Sequence, residues 1–387
     1  MKAKAKKVAI ISRESDTRTL DIAMLEAELK SRGAKVTVLS KLLTKDRSLK
    51  ALGYLGHVLK QETVILESDV VVLDTYCIPA SMIPHRRGTK VVQMWHALGA
   101  IKKFGWQTVG KEGGSSERVA KLMKMHHGYD YVVCASDVTA EHFCEAFRAD
   151  RSKIVKHGLP RIDYIKSVAA GERHSDMLAK ITARYPQLAK TGREDPAGSS
   201  AKKTVLYAPT FRRGKAVDVQ SLANALGTDK YNIVVKLHPL YRGAAAETGG
   251  AGVIYDDDFS SFDWLAAADI VISDYSSLVI EATLADKPLF IYAYDLEDYE
   301  ANTGLNIDFK SEPIAPYVFT DAGKLAEAVA AAADGKSTAD GGYDMEVLRA
   351  FRDRYIDIPT GPEANKAAGK AGGDYCTAAL ADFIESL

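Results

Sequence analysis

Residues 268–295, Ala-Asp-Ile-Val-Ile-Ser-Asp-Tyr-Ser-Ser-Leu-Val-Ile-Glu-Ala-Thr-Leu-Ala-Asp-Lys-Pro-Leu-Phe-Ile-Tyr-Ala-Tyr-Asp, constrain the fold more than any other stretch of the chain. Short apolar runs at Asp269–Ser273 and Pro288–Ala293 bracket a helical run over about Leu278–Asp286, which predicts a parallel βαβ unit. The polar corner Asp274–Ser277 then falls at the carboxyl end of a strand and the amino end of a helix. Open α/β sheets bind ligands at that place, and unpaired helix N–H groups there favour phosphate. Ser276 and Ser277 either cap the helix or lend hydroxyls to a phosphoryl oxygen.

The same alternation recurs on both sides of this unit. Val8–Ser12 and Lys35–Leu39 read as strands around a helix over Thr17–Ser31, with Gly33 where a helix ends. Further strands are expected at Val70–Asp74, Lys90–Met94, Tyr131–Cys134, Thr204–Ala208, Asn232–Leu237 and Val253–Tyr255. Between them, Ile165–Lys203 carries Gly, Ser, Pro and charge, and its second half reads as a linker or surface loop. The expected division is therefore residues 1–165, a linker or loop over 166–203, and residues 204–387.

A chain of 387 residues suffices for two domains and buries roughly 75% of its unfolded surface. No apolar run approaches the ~20 residues of a membrane span, and the lysine-rich start lacks the apolar core of a secretory signal. Cysteines 77, 134, 144 and 376 show neither paired nor metal-type spacing, which fits reduced thiols in a cytosolic protein. The zero net charge hides an asymmetry: residues 1–165 carry 28 Lys and Arg against 18 Asp and Glu, the remainder 23 against 33. A basic amino-terminal half suits either a phosphorylated or membrane-surface partner or a solvated surface. No Gly-x-Gly-x-x-Gly turn follows the first strand and no Walker lysine pattern is present, which disfavours a dinucleotide or P-loop site.

Four further clusters stand where such sheets expose chemistry. Val91–Trp95 delivers His96 to a strand end, followed by glycine and by Lys102 and Lys103; histidine is the side chain best placed to take a proton near neutral pH. Val234–Leu237 delivers His238, with Lys236 two residues upstream on the same face. Tyr207-Ala208-Pro209-Thr210-Phe211-Arg212 places a hydroxyl and a guanidinium after a strand, as phosphate binding requires. His157-Gly158-Leu159-Pro160-Arg161-Ile162-Asp163 reads as an architectural turn at the domain crossing, in which Arg161 and Asp163 pair. Glu281, about one turn beyond the corner, either accepts hydrogen bonds from ribose hydroxyls or stabilises its helix. The run Asp256–Asp258 reads as a solvated loop, and adjacent His126 and His127 cannot form a metal site on one helix face.

In order along the chain, Trp95-His96-Ala97, Gly158–Asp163, Tyr207–Arg212, Lys236-Leu237-His238-Pro239, Asp274-Tyr275-Ser276-Ser277 and Lys287-Pro288 through Asp295 resemble the CDP-glycerol glycerophosphotransferases, the teichoic acid primases and polymerases of bacterial cell walls. The resemblance covers about residues 90–310. It implies a GT-B-like α/β fold of two Rossmann-like domains with parallel sheets facing across a cleft, the nucleotide lying on the carboxy-terminal domain. It also implies transfer of a polyol phosphate from CDP-glycerol or CDP-ribitol to a hydroxyl of a lipid-linked saccharide or polyol phosphate acceptor, releasing CMP. By resemblance His96 is the base, His238 assists at the phosphates, and Arg212, Ser276 and Ser277 hold the pyrophosphate region. Thr210, Lys236, Asp274 and Glu281 are expected on the donor side, and Lys102 and Lys103 on the acceptor or membrane side.

No cofactor or metal is expected, since phosphoryl transfer needs positioning and positive or hydrogen-bonding groups rather than covalent help. Expected partners are the donor, the acceptor and an anionic membrane surface reached by Lys102–Lys124, with no nucleic acid; the expected location is cytoplasmic and peripheral to the membrane. Many polymerases of the family that the chain resembles carry glycine and then proline after the tryptophan–histidine pair, and some have a large additional amino-terminal region. This chain has Ala97-Leu98-Gly99-Ala100 and no such region, so the resemblance implies single addition rather than polymerisation. The alternative is a GT-B glycosyltransferase using a UDP- or GDP-sugar.

Overall fold

The structure is a computed structural model that describes residues 5–42, 50–111, 114–189, 202–212, 217–237, 252–360 and 375–387. It divides into two compact units, residues 1–163 with 354–387, and residues 164–353.

The first unit is built on a parallel sheet. Its strands are β1 (Lys7–Ser12), β2 (Lys35–Ser40), β3 (Val70–Leu73), β4 (Lys90–Gln93), β5 (Tyr131–Cys134) and β6 (Ile154–Lys156), in the order β2-β1-β3-β4-β5-β6. Burial follows position: all four residues of β3 are buried, whereas edge strand β2 buries mainly Leu39. A central strand covered on both faces is continuously apolar because no side chain meets water, and each buried Val or Leu is worth about 1.5–3 kcal/mol.

The second unit repeats the plan. β7 (Lys203–Ala208), β8 (Tyr231–Val235), β9 (Val253–Tyr255), β10 (Ile270–Ser273), β11 (Leu289–Tyr292) and β12 (Val318–Phe319) form a parallel sheet in the order β12-β11-β10-β7-β8-β9. Between β10 and β11 runs the expected helix, as an α-turn Leu278–Glu281 continued by a tighter one over Ala282–Ala285 and ended by Asp286 at φ 48°. The expected βαβ unit therefore exists, with Val271 in register with Leu289.

Each strand order reverses once. In the first sheet the chain leaves β1 in opposite directions at the β1/β3 pair, and in the second at β7/β10. Ligand crevices of open α/β sheets lie outside the carboxyl ends of such strand pairs. Ser12 and Asp74 mark that place in the first unit, and Thr210 and Asp274 in the second.

Two expectations about organisation are corrected. Residues 160–170 and 174–184 are helices, so the linker reading fails over most of 166–188; residues 190–201 lie outside the described residues. The last 34 residues, 354–387, belong to the first unit rather than to a continuous carboxy-terminal domain. The helix Tyr375–Ser386 packs on the helix Leu20–Ser31, where Arg32 reaches Glu28, Asp382 and Glu385. Asp163 accepts the N–H groups of Cys376 (3.0 Å) and Thr377 (2.7 Å) at that helix's start. A carboxylate there meets orphan donors and the positive end of the helix dipole.

Arg161 and Asp163 each reach a distant segment: Arg161 clamps buried Asp21, its Nε and its backbone N–H each 2.8 Å from a different carboxylate oxygen. Gly158 is required by close approach, because a Cβ there would stand 2.6 Å from the Cys376 sulfur. The turn is architectural, as expected, and what it joins is the returning carboxyl terminus.

Candidate active site

In the first unit, β4 ends in a rigid hook. Gln93 is fully buried; its Nε2 donates to the Thr75 carbonyl (3.0 Å) and its Oε1 accepts the Trp95 N–H (2.9 Å). That second bond holds Trp95 at φ 58°, a left-handed conformation costly for a bulky residue and typical of functional sites. The Trp95 ring stacks on Phe104 at 4.5 Å and lies 4.1 Å from the His96 ring.

His96 is half-buried, with Nδ1 2.9 Å from the Asp74 carbonyl oxygen. A carbonyl only accepts, so Nδ1 carries the hydrogen and Nε2 of the neutral ring keeps the lone pair. The sequence-predicted base therefore stands at a strand's carboxyl end in the tautomer that a base needs.

Asp74 was not singled out from the sequence. It is 1% exposed, and both its carboxylate oxygens lack a hydrogen-bond partner among the described residues. Burial pushes its pKa up to about 7, and the hydroxyls of Ser12 and Thr75 nearby offset only part of that cost. The folded state thus keeps the proton while the unfolded chain, with an ordinary aspartate, loses it between about pH 4 and 7. Stability from this group is accordingly lost as pH rises through that window. Asp74→Asn is expected to stabilise the protein at pH 8 by on the order of 1–4 kcal/mol and to have far less effect near pH 4. Denaturant unfolding at both pH values checks this; a gap that does not change with pH would refute it.

In the second unit the β7 and β10 corners are stitched together. Asp274 is fully buried and accepts from the Thr210 N–H at 2.9 Å, the Thr210 hydroxyl, its neighbour Tyr275 N–H at 2.7 Å and Arg212 at 2.6 Å. Arg212, 4% exposed, also forks onto Asp295 through Nε (2.7 Å) and an Nη (2.9 Å), and donates to the Thr210 carbonyl at 2.8 Å. The rings of Tyr275, Tyr294 and Tyr299 surround its guanidinium at 4.9–5.6 Å. Burial opposes the charge on Arg212, but Asp295 and Asp274 outweigh it and raise its pKa.

Thr210, Arg212 and Asp274 are thus interior groups that fix the corner, with Arg212 serving two carboxylates. Lys236 is likewise spent, its ammonium 2.7 Å from the Asp256 carbonyl and 3.2 Å from the Asp256 carboxylate. Asp256 is buried rather than solvated; it also accepts from Tyr185 (2.7 Å) and Trp264 (2.8 Å), and these donors with Lys236 hold its pKa low against burial. Glu281 is 2% exposed.

Ser276 and Ser277 differ from these interior groups, for both are half-buried. The Ser276 hydroxyl accepts from Leu278 N–H at 3.3 Å, whereas the Ser277 hydroxyl makes no capping bond. Among the described residues, neither backbone N–H finds an acceptor. His238 lies outside the described residues. Lys102 and Lys103 are half-buried in the segment after His96. Among the described residues, no three His, Cys, Asp or Glu side chains gather in a way that could hold a metal ion. Asp295 and Tyr275, missed as functional scaffold, lay within quoted motifs; Asp74 and Gln93 carried no signal beyond standing at strand ends.

Residues 1–367 match the family of CDP-glycerol:poly(glycerophosphate) glycerophosphotransferases. The teichoic acid ribitol-phosphate primase of Bacillus spizizenii is 30% identical over 344 residues, 86% of this chain and 82% of that protein. The teichoic acid glycerol-phosphate primase of Bacillus subtilis is 30% identical over 256 residues, 64% of this chain and 62% of that protein. Among solved structures, the wall teichoic acid polymerase TagF superimposes with a TM-score of 0.69 at 18% identity, over 99% of this chain and 89% of that one, which supports the GT-B-like α/β fold class. The extent of the family match, the order of the corner motifs and the repeated sheet topology lead to one assignment: the chain belongs to the CDP-glycerol:poly(glycerophosphate) glycerophosphotransferase family.

Proposed function

We propose that the protein transfers a polyol phosphate from a CDP-activated donor to a hydroxyl of its acceptor, releasing CMP, in teichoic acid synthesis. The observation that carries this reading is His96 with Nδ1 held at 2.9 Å by the Asp74 carbonyl, within a chain matched to this family over residues 1–367. The acceptor oxygen attacks the β-phosphorus as its proton passes to His96 Nε2. The bond from that phosphorus to the bridging oxygen breaks, and the electron pair leaves on CMP. Charge gathers on the phosphoryl oxygens during this step, so donors already aimed at them contribute most. The Ser276 and Ser277 hydroxyls and backbone N–H groups take that role, on a corner held rigid by Asp274 and Arg212. His238 assists at the phosphates. No metal is assigned a part.

Incubating the protein with CDP-glycerol, CDP-ribitol, UDP-sugars and GDP-sugars separates this from sugar transfer. CMP release from a CDP-polyol, persisting in EDTA, is expected; release of UDP or GDP alone would defeat the proposal. The polyol is what the panel decides, since a ribitol-phosphate primase and a glycerol-phosphate primase are both 30% identical to this chain, over 344 and 256 residues.

A lipid-linked acceptor and a cytoplasmic, membrane-peripheral location belong to the same proposal. No helix of the described residues is long and apolar enough to cross a membrane. The short helix Glu117–Leu122 exposes Val119 (49%) and Leu122 (69%) beside exposed Arg118 and Lys121. Apolar residues among cations suit the surface of an anionic bilayer, each cation contributing about 1 kcal/mol. Co-sedimentation with phosphatidylglycerol vesicles is expected to drop severalfold in a Leu122→Glu, Arg118→Glu protein; undiminished binding would reject membrane contact by this helix.

A further inference from the structure

The crevice outside β1 and β3 in the first unit holds a cation as well as the base. Arg13 follows β1 directly, and the two strands run in register to Ile11 and Leu73, which brings Ser12 level with Asp74 and Arg13 level with Thr75. The backbone agrees, for the Arg13 N–H donates to the Thr75 hydroxyl at 3.3 Å. Asp74 in turn holds His96 Nδ1 through its carbonyl at 2.9 Å, and the Thr75 carbonyl accepts from Gln93 at 3.0 Å. Two adjacent residues at one strand end therefore tether both the imidazole and the arginine.

Arg13 is half-buried, and its guanidinium carbon lies 5.1 Å from the Tyr76 ring centroid. Among the described residues it makes no ion pair with a carboxylate. The groups that feel its charge are Tyr76, Cys77, Tyr129 and His126. None of these is negative near neutral pH: burial pushes Tyr76 up to about 12 and Cys77 up to about 11, raises Tyr129 as well, and pushes His126 down to about 3. The Asp74 carboxyl forms no hydrogen bond to it, both carboxyl oxygens lacking a partner among the described residues. The arginines that hold the fold differ, since Arg161 and Arg212 close on buried carboxylates. A guanidinium lying over a ring keeps its in-plane N–H donors, and that planar fork matches the oxygens of a phosphate.

The corner assigned to the donor phosphates, Ser276 and Ser277, belongs to the second unit, whereas Arg13 shares its tether with the residue that takes the acceptor's proton. An anion on Arg13 is then part of the acceptor. We propose that Arg13 is a specificity-determining residue, which binds a phosphate ester carried by the acceptor close to its attacking hydroxyl. The acceptor class is a polyol phosphate, in which hydroxyl and phosphate share a short carbon chain, rather than a neutral saccharide end. This rests on the transfer reading with His96 as base, and adds which hydroxyl that base serves.

Titrating the full chain with the methyl ester of glycerol 3-phosphate and with glycerol, followed by ligand-observed NMR without any CDP donor, tests this. The phosphate ester is expected to bind at least tenfold more tightly than glycerol. Arg13→Gln should weaken the ester at least tenfold and leave CDP-glycerol affinity, measured separately, within twofold of its original value. Arg13→Lys keeps the charge but loses the fork, so it should weaken the ester at least threefold, which keeps the test valid if the glutamine protein misfolds. Both variants retain the bond to Thr75, which uses the backbone N–H. Equal binding of the two probes, no binding of the ester, undiminished affinity in the variants, or loss of CDP-glycerol affinity instead would overturn the proposal. In turnover, Arg13→Gln should raise the KM for a phosphate-bearing acceptor with kcat unchanged. A fall in kcat with KM unchanged would move Arg13 to the transferred phosphoryl group and overturn it likewise. Because the titration needs no transfer, its failure is distinct from failure to release CMP.

Discussion

Transfer by a His96→Ala protein is expected to fall by about 10²–10⁴-fold, the usual contribution of a positioned general base. The loss should lie in turnover, measured as CMP release at saturating donor, while donor affinity measured by calorimetry stays nearly unchanged. The reason is geometric. The imidazole is held through Nδ1 by a backbone carbonyl at 2.9 Å, so its removal takes away a proton acceptor and leaves β4 and the Trp95 hook in place. A His96→Ala protein that retained full activity would eliminate this residue as the base. Loss of donor binding without loss of turnover would move it to a binding role.

Asp274→Ala is expected to destabilise the protein by about 3–5 kcal/mol, because removing one partner leaves a buried cation partly uncompensated. Arg212 would keep Asp295 but lose its 2.6 Å bond to Asp274, and the Thr210 N–H would lose its acceptor. Both are buried, so water cannot readily replace what is removed. Denaturant unfolding measures the change. A loss below about 1 kcal/mol would show that the corner is not held by this carboxylate, since exposed ion pairs rarely exceed that value. The same variant should slow transfer, as Ser276 and Ser277 ride on the segment that Asp274 anchors.

These two residues illustrate how differently site features are written in a sequence. His96 was legible because a strand of buried apolar residues ends just before it, and that pattern is local. Ser276 and Ser277 were legible for the same reason, at the junction of a strand and a helix. Arg212 was legible as an important residue, but its two carboxylate partners were not. A guanidinium placed after a strand has one appearance in sequence whether it meets a phosphate or a carboxylate. Asp74 left no trace, because an unpartnered carboxyl is defined by what fails to surround it.

From the amino-acid order alone came two parallel α/β sheets and the corners at which they expose chemistry. Strand and helix periodicities act over a few residues and are therefore written locally, whereas the order of the strands within each sheet is not. Only the tertiary structure decided which charges face inward. Arg212 finds Asp274 and Asp295 at separations of 62 and 83 residues, and Arg161 finds Asp21 across 140. The return of the last helix to the first unit belongs to the same class of outcome. Pairing of buried ions is set by which groups lose water together, and packing between distant segments determines that.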